Sequence, residues 1–389
     1  MRPFAWLSLF LIALYFAYGA YVPFWALWLE SRGLAANQIG LLIGIGLAIR
    51  FVGNLLIMGQ ANRASLLIPA CRYLALVSLL CFVGFHWLSG FWPLLLLMLL
   101  ANFIYPTLLP LSEALATRMT LQVNLDYGKI RLWGSAAFIL GSTLVGALVQ
   151  HWGADWVLYT MLIGLVLLCG LSWLPMTPAP LDGASQRAGA GFMPLLKSPT
   201  FLRFLLITAL LQGSHAAYYG FSAIYWKASG YAENLIGYLW ALGVLAEIIM
   251  FATSRRVLSS LGYQSLFLIG AVGCLLRWTI LATTTDVTWL ALSQLLHAVT
   301  FCVSHLGAIR YMTQHMSADQ VISAQTLYAA VPTGIVMALL TVLSGVLFQA
   351  FGSQVFWLMA VIVLPVFVLR LPSHAVAHTT DPERVAGAK

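Results

Sequence analysis

Charge is what this sequence has least of. Of 389 residues, 19 are Lys or Arg and 11 are Asp or Glu, 8% in all, where a soluble domain uses about a quarter to cover itself against water. An ordinary soluble fold is excluded. Cysteine is sparse too: Cys71, Cys81, Cys169, Cys274 and Cys302 lie singly in apolar stretches with no zinc or redox spacing, so neither a disulfide framework nor a thiolate metal site is expected. Alternating segments of about ten residues, the mark of a membrane β-barrel, are missing. No basic face interleaved with aromatics stands outside the apolar runs, so nucleic acid is not an expected partner. HExxH, a nucleophile elbow and GxxxxGK[ST] are all absent; the chain is expected to be no enzyme and to need no cofactor or metal.

What is present is apolar sequence, 61% of the chain, in runs of ~20 residues that suffice to cross a bilayer as helices. A chain whose solvent is lipid must satisfy its backbone within each segment, which favours helices. Twelve spans are predicted: 4–29, 37–59, 66–86, 92–116, 129–150, 155–175, 200–226, 234–254, 264–284, 287–312, 320–349 and 353–371. The first is too long and too aromatic for a cleaved signal and is expected to be retained. Between the sixth and seventh lies PMTPAPLDGASQRAGAGFMPLLKSPT, rich in Pro, Gly, Ala and Ser, which reads as a linker. The predicted organisation is a six-helix bundle over 1–175, a cytoplasmic linker over 176–199, a second six-helix bundle over 200–372 and a cytoplasmic tail over 373–389. With this count one face collects nearly every Lys and Arg and the other only Arg32 and Lys227. Positive residues stay inside, so both termini are expected to be cytoplasmic.

The chain also repeats itself. GLAANQIGLLIGIGLAIR (33–50) and GYAENLIGYLWALGVLAE (230–247) match at a shift of 197, aligning Gly33 with Gly230, Gly40 with Gly237 and Gly46 with Gly243. The copies end on opposite charges, Arg50 and Glu247. Spans 1 and 7 carry aromatics under the same shift: Tyr18 and His215, Tyr21 and Tyr218, Phe24 and Phe221, with Trp25, Tyr219, Tyr225 and Trp226 nearby. Two six-helix halves related by a repeat resemble the plan of the major facilitator superfamily, in which substrate sits near the midplane between halves that rock around it.

An ionisable group in the bilayer costs roughly 2.5–3.5 kcal/mol on insertion scales, and such residues face a cavity or a partner. They are Arg50, Glu113, Arg131, Glu247 and Arg277, joined by His215, His297 and His305. Ion pairs between helices are the structural alternative. Three arginines against two glutamates leave one guanidinium over, which suits an anionic cargo.

The segment NLDYGKIRLWGS (124–135) resembles the start of the fifth helix of lactose-permease-like proton symporters. The resemblance implies substrate binding by Arg131, paired with Glu113 eighteen residues earlier, and Arg277 and His297 keep the spacing of that family's ninth-helix Arg and tenth-helix His. Thr300 stands where those permeases carry a proton-accepting acid, Gln294 where they carry a Lys, and Glu247 lies about one turn from their eighth-helix Glu. YVPFWALWL (21–29), LDYGKIRLWGS, QGSHAAYYGFSAIYWKASGY (212–231) and LGVLAEIIMF (242–251) are similar to the phenylpropionate permease family over nearly the whole length. That resemblance implies a monomeric proton symporter importing 3-phenylpropionate or a related aryl acid across a bacterial inner membrane. Sugar or nucleoside symport and drug export are the alternatives; the span-5 Gly-Pro pair of exporters is missing. For substrate the candidates are Arg131, Glu113, Arg277, Arg50, Tyr18, Tyr21, Trp25, His215, Tyr218 and Tyr219; for proton coupling, Glu247 and His297.

Overall fold

A computed structural model describes residues 1–60, 63–181 and 191–372. Much of the expected linker and the whole expected tail lie outside these. Among the described residues every regular element is helical. Spans 1 to 3 are Pro3–Ser31, Ala36–Gln60 and Ala64–Gly84. Span 4 runs from Phe91–Ile104 through the single turn Tyr105–Thr107 into Leu108–Val123, two turns further than predicted. Spans 5 and 6 are Tyr127–Trp152 and Asp155–Trp173. Span 7 is broken into Pro199–Gly213 and Ala216–Ala228, and spans 8 and 9 are Glu233–Val257 and Tyr263–Thr283. Span 10 comprises Val287–His297, a π-helical turn over Ala298–Val303, and Ser304–His315. Span 11 comprises Ala318–Ala330, a second π turn over Val331–Val336, and Met337–Phe351. Span 12 is short and irregular, from Gly352–Gln354 through Val355–Val361 to Leu364–Phe367.

Local chemistry sets the ends. The Asp126 carboxylate accepts from the Lys129 N–H at 3.2 Å, so the DYGK sequence starts span 5 and delivers Arg131 at the start of its second turn. Just before it, Asn124 takes the left-handed conformation that closes span 4, a conformation asparagine tolerates. Ser317 and Gln320 form a reciprocal capping box at the start of span 11. Gly33 and Gly230, equivalent in the repeat, both turn the chain at positive φ, +82° and +91°, so the repeated text is also a repeated backbone. Among the described residues ten stretches are long and apolar enough to cross a membrane. One of them, Asp319–Phe367, reverses at Gly352, and span 7 adds another once its two pieces are read together. The predicted dozen follows.

Both termini of the described chain share one face of the molecule, here the terminal face. At the opposite face span 2 packs on span 11, and span 5 on span 8. Backbone meets backbone there: a Cβ on Gly345 would lie 2.7 Å from the Ala36 carbonyl oxygen, and one on Gly40 3.0 Å from that of Thr341. In the other pair of spans a Cβ on Gly146 would collide with the Glu233 carbonyl and one on Gly237 with that of Ser142. The backbone N–H of Asn37 donates to the Gln349 side chain at 3.1 Å across the same seam.

Candidate functional site

On the terminal side of this seam lies a cavity of about 260 Å³. Its walls include Tyr15, Val22, Arg131, Ser135 and Phe138 from spans 1 and 5, and Tyr218, Tyr219, Trp240, Val244, Glu247, His297 and Phe301 from spans 7, 8 and 10.

The first wall carries a pair. Arg131 Nε lies 3.4 Å from Glu113 Oε1, the Tyr127 hydroxyl donates to the other carboxylate oxygen, and the guanidinium sits 4.4 Å over the Tyr15 ring. Arg131 remains 39% exposed and Glu113 33%, so neither is sealed in protein. Arg131 Nη1 has no protein partner. A guanidinium that is only partly satisfied and lines a cavity is a ready fork for a carboxylate.

The second wall carries a chain of three groups. Glu247 Oε1 is 2.7 Å from His297 Nε2, and His297 Nδ1 is 2.8 Å from Arg277 Nη1. Arginine can only donate, so Nδ1 accepts, and the ring proton therefore sits on Nε2 and points at the Glu247 carboxylate. Arg277 also donates to Thr300 at 3.3 Å and lies between the faces of Tyr218 and Trp278, 4.2 and 4.8 Å from their centres. It is wholly buried. Two aromatic faces and a neutral ring replace the acidic partner such a charge would ordinarily need. The Tyr218 hydroxyl donates to Gln294 at 2.7 Å.

Five of the predicted residues thus line the cavity: Arg131, Tyr218, Tyr219, Glu247 and His297. Glu113 stands behind Arg131, and Arg277 stands behind His297 rather than at the wall. The others lie inside their own half. Tyr18 stacks on Tyr105 at 4.7 Å, Tyr21 donates to Asn102 at 3.2 Å, and Trp25 stacks on Trp28 at 4.6 Å while its indole N–H meets the Met98 sulfur. Most of span 1 is buried, and most of its aromatics pack inward. His215, at the break in span 7, donates or accepts only within the bundle, at 3.0 Å to Thr300 and 3.1 Å to the Leu211 carbonyl. Arg50 is half-buried near Tyr18 and Tyr21, with no carboxylate paired to it among the described residues. Tyr15, Phe138, Trp240 and Phe301 also line the cavity and are not among the sequence candidates. Phe301 carried a readable signal, lying one turn from His297 on the same helical face.

Twelve spans in two halves enclosing a central cavity with buried charges define a transporter of the major facilitator type, not an enzyme. The chain belongs to the MFS_1 like family, matched over residues 4–359. It is 43% identical over 369 residues to the "Probable 3-phenylpropionic acid transporter" of Escherichia coli (strain K12), covering 94% of this chain and 96% of that protein. It is 25% identical over 345 residues to the maltose permease of Geobacillus stearothermophilus, covering 88% and 86%. Among solved structures it is similar in fold to the nucleoside transporter NupG, with a TM-score of 0.80 at 16% identity over 95% and 99% of the two chains. A bacterial homologue of the lysosomal transporter Spinster, inward-facing and unoccupied, matches at 0.68 and 14% identity over 94% and 95%.

Proposed function

We propose that this protein imports an aromatic carboxylate such as 3-phenylpropionate, together with a proton, by alternating access across a bacterial inner membrane. The terminal face is cytoplasmic, because it gathers the positive residues. The observation that carries the reading is the cavity itself. Arg131 puts a guanidinium beside the faces and edges of Tyr15, Phe138, Tyr218, Tyr219 and Trp240, which are a cation for a carboxylate and flat apolar walls for a ring. The 43% identity to a phenylpropionate transporter supports the same cargo.

Coupling follows from Glu247. It is the carboxylate on the cavity wall, 2.7 Å from a histidine locked as a neutral donor. Adding a proton to Glu247 removes the negative charge facing the cavity, and an anionic cargo then enters without meeting it. Cargo and proton load together because either alone leaves charge uncompensated in low dielectric.

The test is uptake of labelled 3-phenylpropionate into vesicles with and without an inward proton gradient, beside a sugar and a nucleoside. Accumulation of the aryl acid alone, driven by the gradient, is the expected result; preference for the nucleoside or gradient-independent uptake refutes it. Glu247→Gln is expected to abolish uphill accumulation while leaving exchange of internal for external substrate intact. Accumulation by this variant at the normal level would dismiss Glu247 as the proton site.

A further inference from the structure

His305 belongs to none of the interactions above, yet its ring stacks 6.4 Å from that of the cavity-lining Phe301. We propose that His305 carries the proton between Glu247 and the cytoplasmic mouth of the cavity, with Tyr328 positioning its ring. The inference rests on the proton-coupled reading of the site.

Its first support is elimination. His297 touches Glu247, but its Nδ1 is held by the Arg277 guanidinium at 2.8 Å and its Nε2 proton is directed at the carboxylate at 2.7 Å. A second proton on this ring would face a guanidinium that has no other strong acceptor and is wholly buried. His297 therefore orients Glu247 and does not carry the proton away.

Its second support is placement. Span 8 enters from the outer face at Glu233 and span 10 at Val287. At 1.5 Å per residue, Glu247 lies about 21 Å along its helix, His297 about 15 Å and His305 about 27 Å. Glu247 is thus flanked by one histidine on the outer side and one on the cytoplasmic side. The rings of His297, Phe301 and His305 form a ladder on one face of span 10, with centroids 5.6 and 6.4 Å apart and planes 23° and 6° from parallel. Phe301 lines the cavity, so the ladder leads from the cavity floor toward the terminal face.

Its third support is the ring's own bonding. His305 is half-buried, its Nδ1 meets the Tyr328 hydroxyl at 3.2 Å, and Tyr328 is itself held by the Gln212 amide at 3.4 Å. Nε2 has no protein partner among the described residues. The charged and titratable groups facing the ring are Tyr328 on span 11, Glu247 on span 8, within electrostatic reach, and His297 two turns up its own helix. Span 7 contributes the neutral Gln212 and span 9, opposite Ser304, a glycine.

In the step, the O–H bond of protonated Glu247 breaks and, by way of cavity water, an N–H bond forms at His305 Nε2. Glu247 is left as the carboxylate that accepts from His297. The imidazolium then loses the proton to cytoplasmic water and returns to its neutral form, so one proton has left the protein and Glu247 keeps its negative charge.

The test compares His305→Gln, Tyr328→Phe and Glu247→Gln in proteoliposomes with labelled 3-phenylpropionate. His305→Gln is expected to slow gradient-driven net uptake at least about tenfold and to leave equilibrium exchange, which moves no net proton, within about twofold. The pH dependence of net efflux should flatten in the same variant. Tyr328→Phe should slow the same net movement a few-fold. Unchanged net uptake in His305→Gln, or exchange falling in step with it, overturns the relay. If Glu247→Gln accumulates substrate normally, the proton-coupled reading itself fails, a result distinguishable from the first.

Discussion

Arg131 and Arg277 are the same residue type, and each keeps the spacing to its partner, Glu113 and His297, that resembles lactose-permease-like symporters, yet the fold gives them different tasks. Arg131 stands at the start of the second turn of a capped helix and lines the cavity, with Nη1 left without a protein partner. Arg277 is packed behind His297 against Tyr218 and Trp278 and acts on the cavity only through the imidazole. Lysine at position 131 keeps the charge but loses the planar fork and the stacking on Tyr15. Arg131→Lys is therefore expected to raise the KM for the aryl carboxylate about tenfold, or about 1.4 kcal/mol, read from uptake against concentration. An unchanged KM would remove Arg131 as the carboxylate anchor. The motif NLDYGKIRLWGS was enough to place Arg131 beside Glu113. It said nothing of Tyr127 and Tyr15, which complete that pair from a helix start and from another span.

Among the elements, the glycines of spans 2, 5, 8 and 11 do what their small size permits. Gly40 and Gly237 stand at one repeat position, Gly146 and Gly345 at the equivalent places of their partner spans, and all four press backbone against backbone on the side opposite the terminal face. A side chain there has nowhere to go, because its neighbour is a carbonyl oxygen and not a movable side chain. Gly146→Val combined with Gly345→Val is expected to wedge the outer ends apart. A cysteine replacing Val22, which lines the cavity, in a background without the native cysteines, should then react several-fold faster with a membrane-impermeant maleimide added outside. Unaltered labelling counts against the seal. The π turns of spans 10 and 11 were not visible in the sequence, since hydropathy is blind to one extra residue in a helical turn. Yet one of them begins directly after His297, where the side chains of the site must be aimed.

For the whole molecule, the seam of spans 2, 5, 8 and 11 and the cavity on its terminal side are, on the proposed alternating-access reading, one end of a transport cycle in which the two halves part where they now touch. Linking them there should arrest it. Cysteines replacing Asn37 and Gln349, whose native residues meet across the seam at 3.1 Å, are expected to cut uptake by about an order of magnitude when bridged by a short cross-linker and to leave it intact unbridged. Undiminished uptake by the cross-linked protein would mean that the outer ends need not separate.

Composition alone determined that this chain lives in lipid, because so few charges cannot clothe a soluble surface. Apolar run lengths set its spans, the skew of Lys and Arg its predicted orientation, and the 197-residue repeat its two halves. These properties are local or additive, so they can be read along a line. Which buried ions share a cavity is neither. Arg50 and Glu247 occupy one repeat position, yet only Glu247 reaches the wall, and Tyr18 and Tyr21 turn inward where Tyr218 and Tyr219 do not. That choice depends on the rotation of each helix against neighbours far away in the chain, and only the packed tertiary structure decides it.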